Sequence, residues 1–148
     1  MKPKIFVILP SYNCECTLEH TYARIPDTFK QFVIFVDDKS TDLSVKVAKN
    51  LNIPYVYVHE TNKGYGANQK TCYDKAIEFG ADYVVMLHPD NQYDPSLILK
   101  IVEKFNDGND VVFVSRLQSN KYALKNGMPI YKLLGNRFLS LFQNIVCK

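Results

Sequence analysis

Five short apolar runs recur along the chain at Ile5–Leu9, Phe32–Val36, Tyr55–Val58, Tyr83–Leu87 and Val111–Val114, each rich in β-branched or aromatic residues. Their apolar character is continuous rather than alternating, the pattern of strands buried on both faces. Helical patterns separate them, over Leu18 to Ile25, Leu43 to Leu51, Ala67 to Phe79 and Pro95 to Phe105, with stop signals at Pro26, Gly80 and Gly108. Regular alternation of strand and helix calls for right-handed crossovers, and so for a mostly parallel sheet covered by helices on both faces. The expected fold class is α/β, a three-layer α/β/α arrangement with a Rossmann-like sheet. Ser40, Thr41 and Asp42 offer an N-cap for the second helix, and Asp94-Pro95 supplies a cap followed by proline at the first helical position. A last helix is expected from Pro129 to Cys147. With no repeat and no low-complexity tract, residues 1–148 read as one domain.

A hydrophobic content of 47% over 148 residues gives a core large enough to fold alone. The net charge of +3 is spread evenly over most of the length, which argues against a nucleic-acid partner. One stretch differs. Arg116, Lys121, Lys125, Lys132 and Arg137 follow one another with no carboxylate between them, so this segment could meet phosphates or an anionic membrane surface, or form an ordinary solvated basic face. Cys14, Cys16, Cys72 and Cys147 match no usual zinc or redox spacing and are read as reduced thiols. The N-terminus leads into an apolar run too short for a signal peptide, so the expected location is the cytoplasm. No apolar segment is long enough to span a bilayer; membrane contact by this chain is expected to be peripheral.

Polar residues gather where the apolar runs end. The first run ends in Pro10-Ser11-Tyr12-Asn13, the second in Asp37-Asp38-Lys39-Ser40-Thr41-Asp42, and the fourth in His88-Pro89-Asp90-Asn91-Gln92-Tyr93-Asp94-Pro95. In a parallel sheet these ends share one edge, and if the first and fourth strands are neighbours they flank the topological switch point, where α/β proteins bind nucleotides. Asp37 and Asp38 could accept hydrogen bonds from a base edge and a ribose hydroxyl. Helix capping is the simpler role for them, but Ser40 to Asp42 already offer a cap, which leaves the upstream pair in excess of structural need. Asp90 is a hard oxygen donor. Gln92 could add a carbonyl oxygen beside it, and the two could hold Mg²⁺ or Mn²⁺, ions that take few protein ligands and complete their shell with water and phosphate. His88 suits Mn²⁺ better than Mg²⁺, and a single histidine at a strand end serves more often as a hydrogen-bonding group than as a ligand. Asn62-Lys63-Gly64-Tyr65-Gly66-Ala67 precedes a helix and fits either a phosphate-binding turn or an ordinary one.

Taken in order, Leu9 to Glu15, Val36 to Asp42, Asn62 to Gly66 and the segment ending Gln92-Tyr93-Asp94-Pro95 resemble glycosyltransferase family 2, inverting enzymes of the GT-A fold that use nucleotide-sugar donors. Within it the dolichyl-phosphate mannose synthase-like branch is most similar. Gln92 stands beside the metal motif as it does there, and Val114-Ser115-Arg116 resembles the branch's G-S-R turn. The resemblance implies that Pro10, Tyr12 and Glu15 frame the nucleotide, that Asp37 and Asp38 bind base and ribose, and that Lys63 also contacts the nucleotide. It implies a metal site at His88, Asp90 and Gln92, with His88 standing where the D-x-D motif has its first aspartate. Arg116, Lys132 and Asn136 would receive the acceptor phosphate, and Asp90 and Arg116 would carry the catalysis. Lys132 and Asn136 lie one helical turn apart, so both could face one phosphate. The family's domain normally continues beyond the length seen here, so the chain reads as the nucleotide-sugar-binding part with the start of an acceptor-side region from about residue 116.

The implied reaction moves a sugar from a UDP- or GDP-sugar to a polyprenyl phosphate. An acceptor phosphate is already anionic near neutral pH and needs no strong general base, whereas a glycan hydroxyl would need a carboxylate base, for which no candidate stands out. A non-catalytic nucleotide-sugar-binding module is the alternative from another class. In the last helix Ile130, Leu133, Leu134, Phe138, Leu141, Phe142 and Ile145 form a broad apolar surface that would either pack on the sheet or lie at a membrane interface.

Overall fold

Ile5–Ser11 (β1) and Val33–Asp37 (β2) are buried at every position, as uninterrupted apolar runs require when both faces of a sheet are covered. A computed structural model of the chain describes residues 3–114 and the helix within 130–146. Its strands β1, β2, Tyr55–Val58 (β3) and Tyr83–Met86 (β4) form a four-stranded sheet in the order β3-β2-β1-β4, and every pairing is parallel. Leu18–Ala23 (α1), Asp27–Lys30 (α2), Ser44–Asn50 (α3), Tyr65–Glu78 (α4) and Ile98–Asn106 (α5, entered through a 3₁₀ turn at Pro95–Leu97) connect or follow the strands. The expected three-layer, mostly parallel α/β architecture is the one observed.

Alternate side chains of β1 and β2 feed two separate cores. Val7, Leu9, Val33 and Phe35 pack with Leu18, Tyr22, Ala48, Ile98 and Phe105 on one face, while Phe6, Ile8, Ile34 and Val36 pack with Cys72 and Ala76 of α4 on the other. A cluster of rings closes the second core. Phe6 lies 5.4 Å from Phe32 and 5.9 Å from Phe79, which in turn lies 4.4 Å from Tyr55.

Several expectations require correction. β3 and β4 are only partly covered, because among the described residues each stands at an edge of the sheet with a neighbour on one side. Val111–Val114 forms no strand; among the described residues nothing pairs with it, and Val111 and Phe113 are exposed. Pro26 does end a helix, but a further turn, α2, starts directly after it, proline being compatible with the entry to a helix.

The chain divides into two compact units after Val112. In the second unit the described helix, Ile130–Val146 (α6), matches the expected element, and Phe138, Leu139, Leu141, Phe142, Ile145 and Val146 are all exposed on it. Among the described residues no helix is long and apolar enough to cross a membrane.

Candidate functional site

Because every strand is parallel, the loops after β1, β2, β3 and β4 leave the sheet at one edge. Chain order runs outward from β1 to β2 to β3 on one side, while β4 returns to the other side of β1, so the switch point lies between β1 and β4. Beside it, the segments that follow β1 and β2 interlock with each other. Asp38 N–H donates to Ser11 O (2.9 Å), Asn13 N–H to Ser40 Oγ (2.8 Å), Cys14 N–H to Ser44 Oγ (2.7 Å) and Glu15 N–H to Asp42 Oδ2 (3.0 Å). In return Thr41 N–H donates to Asn13 Oδ1 (2.9 Å) and Leu43 N–H to Glu15 Oε2 (2.7 Å). The capping work at α3 is thus divided differently from the sequence reading. Asp42 accepts Ser44 N–H (2.9 Å), Glu15 reaches in from the β1 loop, and Ser40 instead bonds to Asp37 and Asn13.

The acidic pair at the end of β2 is not surplus to structure. Asp37, fully buried, accepts Ser40 N–H (2.8 Å) and the Ser40 hydroxyl. Asp38, 2% exposed, accepts from His59 Nδ1 (2.7 Å), Lys63 N–H (2.8 Å) and Gly64 N–H (2.8 Å). Burial alone would raise the Asp38 pKa, but bonds from His59 and the two backbone amides outweigh it and hold the carboxyl below the usual carboxylate range. Asp42 behaves likewise, its burial outweighed by bonds from Ser44 and from Glu15 N–H.

His59 is a residue the sequence reading passed over. It is 7% exposed, and its Nε2 lies 3.0 Å from Thr71 Oγ1 of α4, so it ties Asp38 to that helix. Asn68, also missed, is 2% exposed on α4 and donates from Nδ2 to both Ser11 O and Val36 O (3.1 Å each), joining the ends of β1 and β2. For Asn68 the signal was its place four and eight residues before Cys72 and Ala76, on the buried side of α4; His59, between exposed Val58 and Glu60, carried none.

The Asn62–Gly64 turn is therefore moored by its backbone to Asp38, with Gly64 at φ 85 opening α4, while the Lys63 side chain remains exposed. At the end of β1, Pro10 is buried and Tyr12 is half exposed at 51%. After β4, Asp90 is exposed and its Oδ1 accepts Gln92 N–H (2.9 Å), so the carboxylate and Gln92 adjoin in one tight turn. His88 has a different neighbour. Its Nε2 lies 3.0 Å from Tyr65 Oη, which accepts from Gln69 Nε2 (2.7 Å), and its ring stands beside those of Tyr65 and Tyr93. Among the described residues no three His, Cys, Asp or Glu side chains converge as a metal cluster. An exposed carboxylate with an amide side chain in the same turn does fit a hard divalent cation, which takes one or two protein ligands and fills its shell from phosphate and water. Arg116 lies outside the described residues, as do the side chains of Lys132 and Asn136.

The model of glycosyl transferase family 2 matches residues 6–144, nearly the whole chain. The chain belongs to that family. Among similar curated proteins is the UDP-N-acetylglucosamine–dolichyl-phosphate N-acetylglucosaminyltransferase of Methanococcus voltae, 33% identical over 92% of this chain and 60% of its own length. The dolichol-phosphate mannosyltransferase of Pyrococcus furiosus is 30% identical over 88% of this chain and 38% of its own. The crystal structure of S. aureus TarS superposes with a TM-score of 0.57 at 23% identity, over 76% of this chain and 23% of that one, a likeness of fold. The family 2 chain thus spans about 60% or less of the curated relatives named here, and the family and GT-A fold anticipated from the ordered motifs both hold.

Proposed function

We propose that this family 2 chain binds a nucleotide-diphosphate sugar at the β1/β4 switch point and serves an inverting transfer of the sugar to a polyprenyl phosphate. The observation that carries the reading is the exposed Asp90–Gln92 turn that follows β4, beside the point where strand order reverses. Relatives named for dolichyl-phosphate acceptors support the acceptor class.

In this reading Tyr12, Pro10 and the Lys63 side chain frame the nucleotide, and Glu15, Asp37 and Asp38 act by holding the loops that line it. Asp90 and Gln92 would hold a Mg²⁺ or Mn²⁺, which would compensate charge on the departing diphosphate. An acceptor phosphate oxygen attacks the anomeric carbon from the face opposite the leaving group. The new C–O bond forms as the bond to the nucleoside diphosphate breaks, and the electron pair leaves with the diphosphate. Since the acceptor oxygen is already anionic, no side chain has to remove a proton. Arg116, Lys132 and Asn136 are the proposed acceptor-phosphate contacts, and the exposed apolar side chains of α6 suit a peripheral membrane contact near a lipid-linked substrate.

Calorimetric titration with UDP and GDP, with and without Mn²⁺, on the wild type and on Asp90→Ala tests the reading. Mn²⁺-dependent binding of one nucleotide, lost in the variant while its thermal unfolding is unchanged, is the expected result and identifies the donor class for transfer assays. Absence of binding by either nucleotide would overturn it. Binding without transfer to a polyprenyl phosphate would leave a nucleotide-sugar-binding module.

A further inference from the structure

The loop that carries Asp90 and Gln92 is held from outside by one helix face. Thr17, His20, Thr21 and Arg24, at the spacing that lines up one side of a helix, all contact residues 70 to 72 positions later in the chain. The Thr17 hydroxyl donates to Pro89 O. Thr21 Oγ1 donates to Asn91 Oδ1 (2.9 Å), and His20 Nδ1 meets the same oxygen at 2.9 Å. Arg24 Nη2 pairs with Asp94 Oδ1 (2.8 Å), which also accepts Ser96 N–H (3.0 Å).

Asn91 occupies the position between Asp90 and Gln92 at φ 60, a left-handed conformation that persists in a non-glycine residue when its surroundings hold it there. Merely allowing that conformation would require only glycine or asparagine. Two side-chain bonds from α1 to the Asn91 amide go further than a turn needs. Thr21 is 1% exposed, so its hydroxyl is withdrawn from water and finds its partner in the loop.

We infer that this α1 face is a positioning surface for the cation-binding turn, with Thr21 and Asn91 as its central pair: by anchoring Asn91 it presents Asp90 and Gln92 together to a cation-bound diphosphate. These are positioning residues, since they act through Asp90 and Gln92, and the inference rests on the donor-site reading above. Partners that orient metal ligands typically contribute 10- to 100-fold to metal affinity.

The test compares wild type with Thr21→Val, which replaces the hydroxyl by a methyl of similar size, with Thr21→Ser, which keeps the hydroxyl, and with Asn91→Gly, which permits the left-handed backbone but removes the amide. Amide hydrogen exchange of residues 90–93 in metal-free protein and titration with Mn²⁺ plus UDP or GDP are the readouts. Thr21→Val and Asn91→Gly are expected to weaken Mn²⁺-dependent nucleotide binding roughly ten-fold, to accelerate exchange in the loop, and to leave metal-independent nucleotide affinity unaltered, while Thr21→Ser restores both properties. Wild-type affinity and exchange in Thr21→Val would overturn the inference. So would failure of Thr21→Ser to restore them alongside a uniform loss of thermal stability, since that pattern marks a purely structural role. If the wild type itself shows no Mn²⁺-dependent binding, the donor-site reading fails and the inference falls with it; if the wild type binds and the variants bind equally well, the inference alone fails.

Discussion

Replacing Asp38 by asparagine is the sharpest test of how the site is held together. The substitution keeps the side chain's shape but removes its charge and half of its accepting capacity. An asparagine Oδ1 can still accept from His59 and Lys63, as Asp38 Oδ1 does, but the Nδ2 then faces Gly64 N–H at the 2.8 Å contact now made by Oδ2, donor against donor. A buried unsatisfied donor costs about 1–3 kcal/mol, and the charge-assisted bond to His59 contributes a similar amount. Breaking a buried pair on one side commonly costs about 3–5 kcal/mol, so an expected loss of about 3 kcal/mol is reasonable. For a domain of this size each kcal/mol shifts Tm by roughly 3 °C, which predicts a fall of about 10 °C for Asp38→Asn at pH 7. The pH dependence carries a sign of its own. Asp38 has a folded-state pKa below its unfolded value of about 3.9, so its contribution is fully present above that value and is lost as pH falls through the folded one. The gap between wild type and variant should therefore narrow on acidification below about pH 4. A Tm change under about 3 °C at neutral pH, or a gap that stays constant into acid, would refute the reasoning.

Two further outcomes follow from buried groups. Asn68→Ala removes the donor that Ser11 O and Val36 O share, and should destabilise the fold by about 2 kcal/mol in urea unfolding while leaving α4 helical by circular dichroism. Burial pushes the Cys72 thiol up to about 12 and also raises that of Cys14, whereas Cys16 is exposed. Alkylation at pH 8 under native conditions should therefore modify Cys16 and spare Cys72 and Cys14, as peptide mapping by mass spectrometry will report; labelling of Cys72 at the rate of Cys16 would contradict the packing of α4 on the sheet.

The apolar runs at Ile5 and Phe32 were legible because a strand covered on both faces has to be apolar at successive positions; those at Tyr55 and Tyr83, only partly covered, were legible from their β-branched and aromatic residues, and the intervening helices carried recognisable stops. Val111–Val114 was misread for a related reason: β-branched residues favour an extended chain, but a strand exists only where a neighbour pairs with it, and composition holds no record of the neighbour. At the site, the sequence showed Asp90 and Gln92 as polar residues two apart after a strand, and the structure adds that Gln92 N–H closes a turn on Asp90 Oδ1. The reading of Asp37 and Asp38 as surplus carboxylates did not survive: Asp37 is held by Ser40 three residues on in its own loop, and the partners of Asp38, His59, Lys63 and Gly64, could be recognised only once β3 and its loop lay beside β2.

What the sequence determined by itself was the alternation of elements, the family and the polar composition of each strand end, all of which follow from local patterns of hydrophobicity and from the order of short motifs. Strand order, and with it everything that depends on contact between distant segments, was decided by tertiary structure alone: the return of β4 to the free side of β1, the His59–Asp38 pair, and the grip of α1 on the Asp90 loop. The physical reason is that a hydrogen bond between side chains 70 residues apart leaves no periodic trace in either segment. Thr21 and Asn91 each read as an ordinary helix or turn residue until packing of the sheet brings them within 2.9 Å of one another.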